Sequence, residues 1–421
     1  MHLFKSLLAT LGLILITTAF PLQAHSNSSI LELSRRARIG GGHGAAEDTG
    51  SITDLFLLQD GKSSCLDRKD TLDHWLREAR DLHQAMVWAY ADAPTDPFTM
   101  MTFAAYFALE IQPVWQPDGS PIIRPNPERW ANIGGHIDRV SAFLSGSGVA
   151  SPQVPGEKPR LFCGPDAFEY QPWGSTVRDR YGKQVMLDED NHLTIDEAFP
   201  VMKDRGISIF WVDAFNGYDF SQKTATTICP PPDDEENIVL ARTSKHPVDT
   251  KPSEKFEMGQ TNRHMVFCPL AFDPASNQAH SYESLAKAIS PEGYPTPPTD
   301  ENDERFVIDR MMPFGATMYH ELYHLVDRGN RDTEDLEYNI KNIILAAAKG
   351  EFPIDSVTKL PKTPIIPMDD WRRRNVNNPQ TYTFLAMSFY LRYNAPQGKD
   401  PVIYTGSKPQ KYEARWGPHP H

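Results

Sequence analysis

The segment His320-Glu321-Leu322-Tyr323-His324 constrains the fold of this 421-residue chain more than any other feature of its sequence. The residues around it are apolar, namely Phe314, Ala316, Met318, Leu325 and Val326. On a helix, residues four apart lie on the same face, so His320 and His324 would point in one direction with Glu321 beside them. Burial of three such polar groups is costly unless they share a partner. The sequence therefore predicts a largely buried helix over Met311–Val326 that directs two imidazoles and a carboxylate at one point.

The spacing of these three residues is the H-E-x-x-H pattern of many zinc sites. From the composition of the chain, the pattern would arise by chance with a probability of roughly 0.03. His320 and His324 are then expected to bind one zinc ion per chain, and Glu321 to act as the general base. Such a site needs a third protein ligand. The metzincin pattern would supply it as a histidine that follows a glycine, but this chain has Asn330 and Asp327 at those positions.

The candidates for the third ligand are four carboxylates that follow the histidines, those of Asp332, Glu334, Asp335 and Glu337. They also fit a structural role at the start of a helix predicted over Leu336–Ala348. Thr333 is a suitable N-cap for that helix, and acids near a helix N-terminus are stabilised by the helix dipole. Glu337 is the gluzincin-like choice, although it follows His324 closely for that class. Residue types and spacing leave the choice open.

The run Thr333-Glu334-Asp335-Leu336-Glu337-Tyr338 resembles the G-T-x-D-x-x-Y-G signature of the aspzincins, the deuterolysin and peptidyl-Lys metalloendopeptidase group. The resemblance implies that Asp335 is the third zinc ligand. It also implies that Tyr338, one helical turn later on the same face, stabilises the tetrahedral intermediate. The fold it implies is α+β and zincin-like, with a helical active-site half, a small β-sheet and long loops. The activity it implies is that of a zinc metalloendopeptidase with protein or peptide substrates.

Other segments match the same family between Met265 and Tyr393. They are Gly315–Tyr319 before the first histidine, Met265–Pro269 as a strand ending in Cys-Pro, and Asn378–Tyr382 as a helix start. Two glycines of the family signature are replaced here, by Asp332 and Asn339. Asparagine tolerates a left-handed backbone better than most residues, so the change at position 339 is mild. The turn before the ligand is expected to differ in shape.

Substrate preference is indicated by the last predicted helix. Lysine-specific members of the family place acids there to receive the substrate ammonium, and this chain has Gln380 and Thr383 at the corresponding positions. Strict cleavage beside lysine is therefore not expected, unless another carboxylate takes that role from the long insertion, the polar region between Gly164 and Gly259 that shows little periodicity.

The first residues predict export. Lys5 precedes an apolar run over Leu7–Phe20, and Ala24 offers a small residue at a cleavage point, so residues 1–24 read as a signal peptide. Residues 25–50 are expected to be a flexible segment, either a short propeptide or the mature terminus. No later segment has the length and apolarity of a membrane span. The sequence predicts a secreted, extracellular protein.

Export favours disulfides over free thiols for the four cysteines. Three pairings are possible. Cys65–Cys163 with Cys229–Cys268 is preferred because these pairs close the shorter loops. The chain has no C-x-x-C pair, so its cysteines do not suggest a zinc knuckle or a redox site.

The remaining organisation is that of one catalytic domain over residues 51–395, best matched to the family over 265–393, and a C-terminal tail over 396–421. Further helices are predicted over Leu72–Tyr90, Pro97–Leu109, Pro127–Phe143 and Pro379–Tyr393, and strands over Ile207–Val212 and His264–Phe267.

The segment Asp188–His192 lacks the glycine and the glutamate of a calcium loop, so no calcium site is expected. His83, His136 and His264 are expected to be packed or surface residues rather than ligands.

The net charge of −13 excludes some classes of partner. An acidic surface repels phosphate backbones and anionic membranes, so neither nucleic acid nor a membrane is expected to bind. The sequence gives no basis for an oligomeric state. The alternative to a protease is a secreted zinc-binding protein that kept the fold and the metal but has little or no catalytic activity.

Overall fold

A computed structural model of the chain describes residues 50–115, 121–149, 157–221, 225–231, 238–244, 263–273, 282–300, 303–327, 333, 335–349 and 375–411. All of these residues belong to one compact unit, Gly42–His421. The predicted signal peptide, nearly all of the predicted flexible segment after it and the last ten residues of the tail lie outside the described residues.

The described helices are, in chain order, α1 (Ile52–Leu55), α2 (Lys69–Asp92), α3 (Pro97–Phe107), α4 (Pro127–Leu144), α5 (Ile195–Ala198), α6 (Pro200–Asp204), α7 (Leu285–Ala288), α8 (Gly315–Leu325), α9 (Ile340–Lys349) and α10 (Pro379–Tyr393). The Asp96 carboxylate accepts a hydrogen bond from the backbone N–H of Phe98 at the start of α3. The Asn126 side chain caps α4 in the same way. In both cases a proline follows the cap, and its fixed φ suits the first helical turn. The helices predicted from residue 72 to 143 and from 379 to 393 are confirmed, with ends shifted by three residues or fewer.

The described strands are β1 (Leu57–Leu58), β2 (Ile111–Trp115), β3 (Pro121–Pro125), β4 (Arg160–Phe162), β5 (Phe168–Tyr170), β6 (Ser208–Val212), β7 (Gly217–Ser221), β8 (Ala241–Thr243), β9 (His264–Phe267), β10 (Val402–Ile403) and β11 (Gln410–Lys411). One sheet has the order β1-β4-β9-β8, in which the first three strands are parallel and β8 is antiparallel to β9. β8 is therefore an edge strand of this sheet within the described part of the chain. Both β2–β3 and β10–β11 are antiparallel pairs. The combination confirms the predicted α+β class.

A second sheet lies in the region that the sequence indicated to be largely irregular. Strands β5, β6 and β7 are antiparallel, with β6 in the centre. One face packs on its own apolar cluster, which includes Phe199, Ile209, Trp211 and Tyr218. Of these three strands the sequence predicted β6 alone, which is buried along its whole length. β5 has three residues and β7 contains the buried acid Asp219, so neither shows an apolar run or a clear alternation.

Both predicted disulfides are confirmed. Cys65–Cys163 joins the residue before the first turn of α2 to the residue after β4. Cys229–Cys268 joins the described segment 225–231 to the residue after β9. Each bridge therefore fixes one end of a strand in the four-stranded sheet to a segment distant in sequence.

The helix that carries the H-E-x-x-H segment, α8, packs against α2 and α10. Its first residue, Gly315, contacts Glu78 on α2: a Cβ atom at position 315 would lie 2.5 Å from Glu78 Oε2. The buried Glu78 carboxylate accepts hydrogen bonds from the backbone N–H groups of Gly315 (3.2 Å) and Leu285 (2.5 Å). Glu78 thus joins the N-terminal ends of α8 and α7 to α2. α8 begins four residues later than predicted, after Pro313 and a short 3₁₀ turn over Ile308–Met311.

The Glu78 carboxyl is expected to make stability depend on pH. Burial raises its pKa to about 7 from an ordinary value of 4.5, against the effect of its two backbone hydrogen bonds. The folded protein therefore holds this proton more tightly than the unfolded chain, and stability falls as pH rises through 7. Relative to Glu78→Gln, the free energy of unfolding should drop by about 3 kcal/mol between about pH 4.5 and pH 8. Urea unfolding of both proteins across this range measures it, and a difference that does not vary with pH would contradict the prediction.

Candidate metal centre

Three side chains from two segments converge next to α8. The Nε2 atoms of His320 and His324 lie 3.1 and 2.8 Å from the same oxygen, Oδ1 of Asp335. Each of the three residues offers one ligand atom, and all these atoms lie within 4.8 Å of one another. Both histidines are buried, and the Asp335 side chain is 38% exposed. The arrangement can bind a metal ion through two imidazoles and one carboxylate, and it has access to solvent on the aspartate side.

The second ring nitrogen of each histidine is held by a different residue. His320 Nδ1 lies 2.9 Å from Gln380 Oε1, which can only accept, so Nδ1 is the donor. His324 Nδ1 lies 2.9 Å from the Thr333 hydroxyl oxygen. That hydroxyl donates its own proton to Asp327 Oδ2 at 2.7 Å, so it must accept from His324. Both imidazoles therefore carry a hydrogen on Nδ1.

When both imidazoles are neutral, a cation is needed between them and the Asp335 carboxylate. With Nδ1 as donor on both rings, each neutral imidazole presents the Nε2 lone pair to the Asp335 oxygen, which is itself an acceptor. Three lone pairs directed at one another are unfavourable unless a proton or a metal ion lies among them. Histidines that bind metals commonly donate their other N–H to a fixed acceptor in this manner. The donor set and its orientation thus fit a divalent metal ion with an open position.

Electrostatic interactions within the cluster agree with this geometry. Burial by itself would lower the pKa of His320, but the hydrogen bond to Asp335 and its charge outweigh burial and raise that pKa. Burial would raise the pKa of Asp335, but the charge of His324 and the hydrogen bonds from both histidines hold it well below its ordinary value. The carboxylate is therefore ionised, as a metal ligand must be.

Glu321 points toward the edge strand of the sheet. Its Oε2 atom accepts a hydrogen bond of 2.7 Å from the hydroxyl of Thr243, the last residue of β8. Both residues are buried. The C-terminal end of α8 is held from the same sheet, because Arg263, next to β9, donates to the carbonyl oxygen of Leu325 at 2.8 Å. The four-stranded sheet therefore fixes both the helix and its glutamate.

Tyr338 lies on the solvent side of the cluster. Its ring stacks on that of His320, with centroids 5.8 Å apart and planes inclined by 16°. The residue is 58% exposed, while desolvation of its hydroxyl and then the charges of Asp335 and Glu321 raise the pKa of the phenol well above its ordinary value. A hydrogen bond between the phenol and Asp335 contributes to this rise in pKa.

The helix predicted over Leu336–Ala348 is confirmed, but it begins four residues later than predicted, and Thr333 is not its N-cap. α9 begins at Ile340, and residues 335–339 are irregular. Asn339 caps α9 by accepting from the N–H of Lys341, and Thr333 instead contacts His324 and Asp327. Tyr338 therefore reaches the site from a loop, and it does not lie one helical turn after Asp335. The side-chain oxygens of Asp327 and Asn339 accept the backbone N–H groups of Thr333 and Lys341, so side chains rather than helical backbone hydrogen bonds hold these groups.

The other candidate ligands do not join the cluster where they are described. The carboxylate of Glu337 accepts from the backbone N–H groups of Tyr338 and Asn339 and from the side chain of Asn342. Asp332 and Glu334 lie outside the described residues.

The observed contact of Gln380 differs from the role that its position in the sequence suggested. Its position suggested a specificity pocket, whereas its side chain contacts His320. The hydroxyl of Thr383 donates to the carbonyl oxygen of Pro379 within its own helix. Sequence reasoning also missed Thr243 and Asp327 as partners of the site. Their only sequence signal is a side chain able to hydrogen-bond inside a buried segment, which many residues share.

The three other histidines are packed, as predicted. His83 is buried between Tyr319 and Ser141, and burial lowers its pKa to about 3, so it stays neutral. His136 is buried and contacts Asn377. His264 is buried among aromatic rings. Among the described residues, none of the three belongs to a group that could hold a metal ion.

The chain shares a segment with a protein of Penicillium expansum. The non-secreted LysM effector LysM17 is 34% identical to it over 131 residues. The match covers 29% of this chain and 17% of the effector, so the chain corresponds to less than a fifth of that protein. No protein-family model and no solved structure matches the chain. In the part of the chain that the structure describes, no helix has the length and apolar character needed to cross a membrane.

Proposed function

We propose that this protein is a secreted zinc metalloendopeptidase of the aspzincin type. The observation that carries the proposal is the convergence of His320, His324 and Asp335, with Glu321 and Tyr338 beside them. The donor set is the one expected for a single zinc ion, namely two imidazole nitrogens and a carboxylate oxygen with a position left open. Zinc, when bound, supplies a Lewis acid that polarises a carbonyl oxygen and acidifies water.

The residues of the chain divide the chemistry among them. Glu321 is the general base: it takes a proton from the attacking water and later delivers it to the leaving amine. Thr243 holds one oxygen of that carboxylate and leaves the other available. Tyr338 donates a hydrogen bond to the oxygen on which negative charge develops, and its high pKa keeps the phenol protonated for that purpose. Tyr338 is exposed on the solvent side of the cluster, from which a substrate would approach.

Two further observations support the proposal. A small mixed sheet lies beside the helices that carry the site, as a zincin-like fold requires, and its edge strand β8 contacts the helix with the glutamate. The two disulfides suit a protein that matures in an oxidising compartment. Gln380 and Thr383 provide no free carboxylate, so we propose a specificity other than strict cleavage beside lysine.

Hydrolysis of casein by the purified protein tests the proposal, together with its zinc content. The full chain and an N-terminally processed form are assayed, because a propeptide would mask activity. We expect one zinc per chain, cleavage of casein, loss of cleavage with a chelator and recovery on adding zinc. A protein that binds zinc and cleaves nothing in either form would instead be a binding protein, and a protein that binds no zinc would contradict the site itself.

Loss of the Thr243 hydroxyl is expected to slow catalysis without loss of metal. In Thr243→Val, the Glu321 carboxylate loses a charge-assisted hydrogen bond and with it a fixed orientation. We expect kcat to fall roughly 10- to 100-fold, with little change in KM or zinc content. Thr243→Ser keeps the hydroxyl and should remain close to wild type. Equal activity of the Val and Ser variants would show that the hydrogen bond does not position the base.

The partial relative favours a second candidate function. It is named an effector, and a protein that acts by binding would need the metal site for structure alone. That relative is also named non-secreted, whereas the disulfides of this chain favour export. Casein hydrolysis separates the two functions, because an effector of this kind would hold zinc and leave the substrate intact.

A further inference from the structure

The carboxyl group of Asp327 is linked to the candidate metal ligands by a chain of hydrogen bonds. Asp327 lies two residues beyond α8 and is 4% exposed. Its Oδ2 atom accepts from both the backbone N–H and the hydroxyl of Thr333, each at 2.7 Å. Thr333 is fully buried and accepts from His324 Nδ1 at 2.9 Å. The order Asp327–Thr333–His324 therefore runs from a buried carboxyl group, through a hydroxyl, to an imidazole.

Only one direction of proton donation satisfies these contacts. The Thr333 hydroxyl donates to Asp327 Oδ2, the oxygen that also accepts the backbone N–H of Thr333. The hydroxyl oxygen is then an acceptor toward His324, which fixes the hydrogen on Nδ1 and leaves Nε2 for the metal. Because the hydroxyl is buried, water does not compete for it, and the ring has one preferred orientation.

The same carboxylate also determines how the chain returns to α8. The bond from the Thr333 N–H to Asp327 joins a residue just beyond α8 to a position six residues later in the chain. Two residues after Thr333, Asp335 then lies against both histidines. Asp327 thus acts on two of the three ligands, on one through the imidazole hydrogen bond and on the other through the backbone.

We propose that Asp327 and Thr333 are positioning residues that preorganise the metal centre, by orienting His324 and by folding the Asp335 segment back onto α8. This inference rests on the proposed zinc site and deepens it. Neither residue belongs to the group of three candidate ligands. Partners of this kind, in contact with the ligands rather than the metal, typically change metal affinity 10- to 100-fold, on the order of 1–3 kcal/mol.

The test is the zinc affinity of the full chain, measured by competition with a chromophoric chelator. Asp327→Asn and Thr333→Val should each raise the zinc Kd roughly 10- to 100-fold. Thr333→Ser keeps the hydroxyl and should stay near wild type. Asp309→Asn is the matched control, because Asp309 is another carboxyl that accepts a backbone N–H next to the ligand segment, that of Ile340. Circular dichroism establishes that each variant is folded at the assay temperature.

The outcomes distinguish a failure of the Asp327–Thr333–His324 hydrogen bonds from a failure of the zinc site. If Thr333→Val binds zinc as tightly as wild type, or if Thr333→Ser is as weak as Thr333→Val, the proposal is overturned while the zinc site stands. If wild type itself binds no zinc, the proposed function fails. The role of Thr333 is then tested on the metal-free protein labelled with ¹⁵N-histidine. An Nδ1–H signal of His324 that is kept in Thr333→Ser and lost in Thr333→Val supports the proposal. The same signal unchanged in Thr333→Val overturns it.

Discussion

Glu321→Gln is expected to lower the rate of peptide hydrolysis roughly 10²–10⁴-fold while the protein keeps its zinc. The amide has nearly the shape of the carboxylate and can still accept from Thr243, so the fold and the ligands are not disturbed. It cannot take a proton from water at neutral pH, which removes the general base. The measurement is the rate of casein or peptide cleavage, with the zinc content determined on the same samples.

Glu169→Gln is the matched control for this variant. Glu169 lies on β5, in the other sheet, and pairs with Arg178. Its replacement should leave the rate unchanged. A Glu321→Gln protein that retains full activity would show that another group is the base or that the cleavage comes from a contaminant.

Asp335→Ala is expected to weaken zinc binding by more than about 100-fold, because it removes one of the three proposed ligands. Residues that contact only the ligands already change metal affinity roughly 10- to 100-fold. Glu337→Ala provides the contrast. The Glu337 carboxylate bonds to its own loop and to Asn342, so its loss should leave zinc affinity within a few-fold. Chelator competition on both variants measures the effect.

The pair of variants also decides between Asp335 and Glu337, two of the four carboxylates that the sequence left open as the third ligand. If Glu337→Ala loses the metal and Asp335→Ala retains it, the site is gluzincin-like and the aspzincin resemblance is misleading. If both retain it, the third ligand is another residue, and Asp332 and Glu334 are the next to replace.

The fold was predictable where a single segment carries its own pattern. α10 has the predicted bounds, because Pro379 starts it and its apolar residues keep a helical repeat for four turns. β9 also has the predicted bounds. Strands of two or three residues, such as β1 and β4, are too short to show a period, and they exist because they pair with β9 or with each other.

The candidate site was predictable to the same extent. The spacing of His320, Glu321 and His324 is local, so the helix period brings them together. Their supporting residues come from elsewhere: Thr243 is 78 residues from Glu321, and Gln380 is 60 residues from His320. No short pattern can express such pairs. The predicted helix start at Leu336 was four residues too early, because caps and acids also occur in loops that are held by side chains.

The disulfide between Cys65 and Cys163 determines what a single proteolytic cut would do to this chain. It spans 98 positions of the chain, and that stretch includes α2, α3 and α4. A cut anywhere between the two cysteines breaks the polypeptide but leaves both pieces covalently joined. Such a nicked molecule would migrate as an intact chain on a non-reducing gel and as two bands after reduction. α2, which anchors α8 through Glu78, would stay attached to the rest of the molecule on either side of the cut.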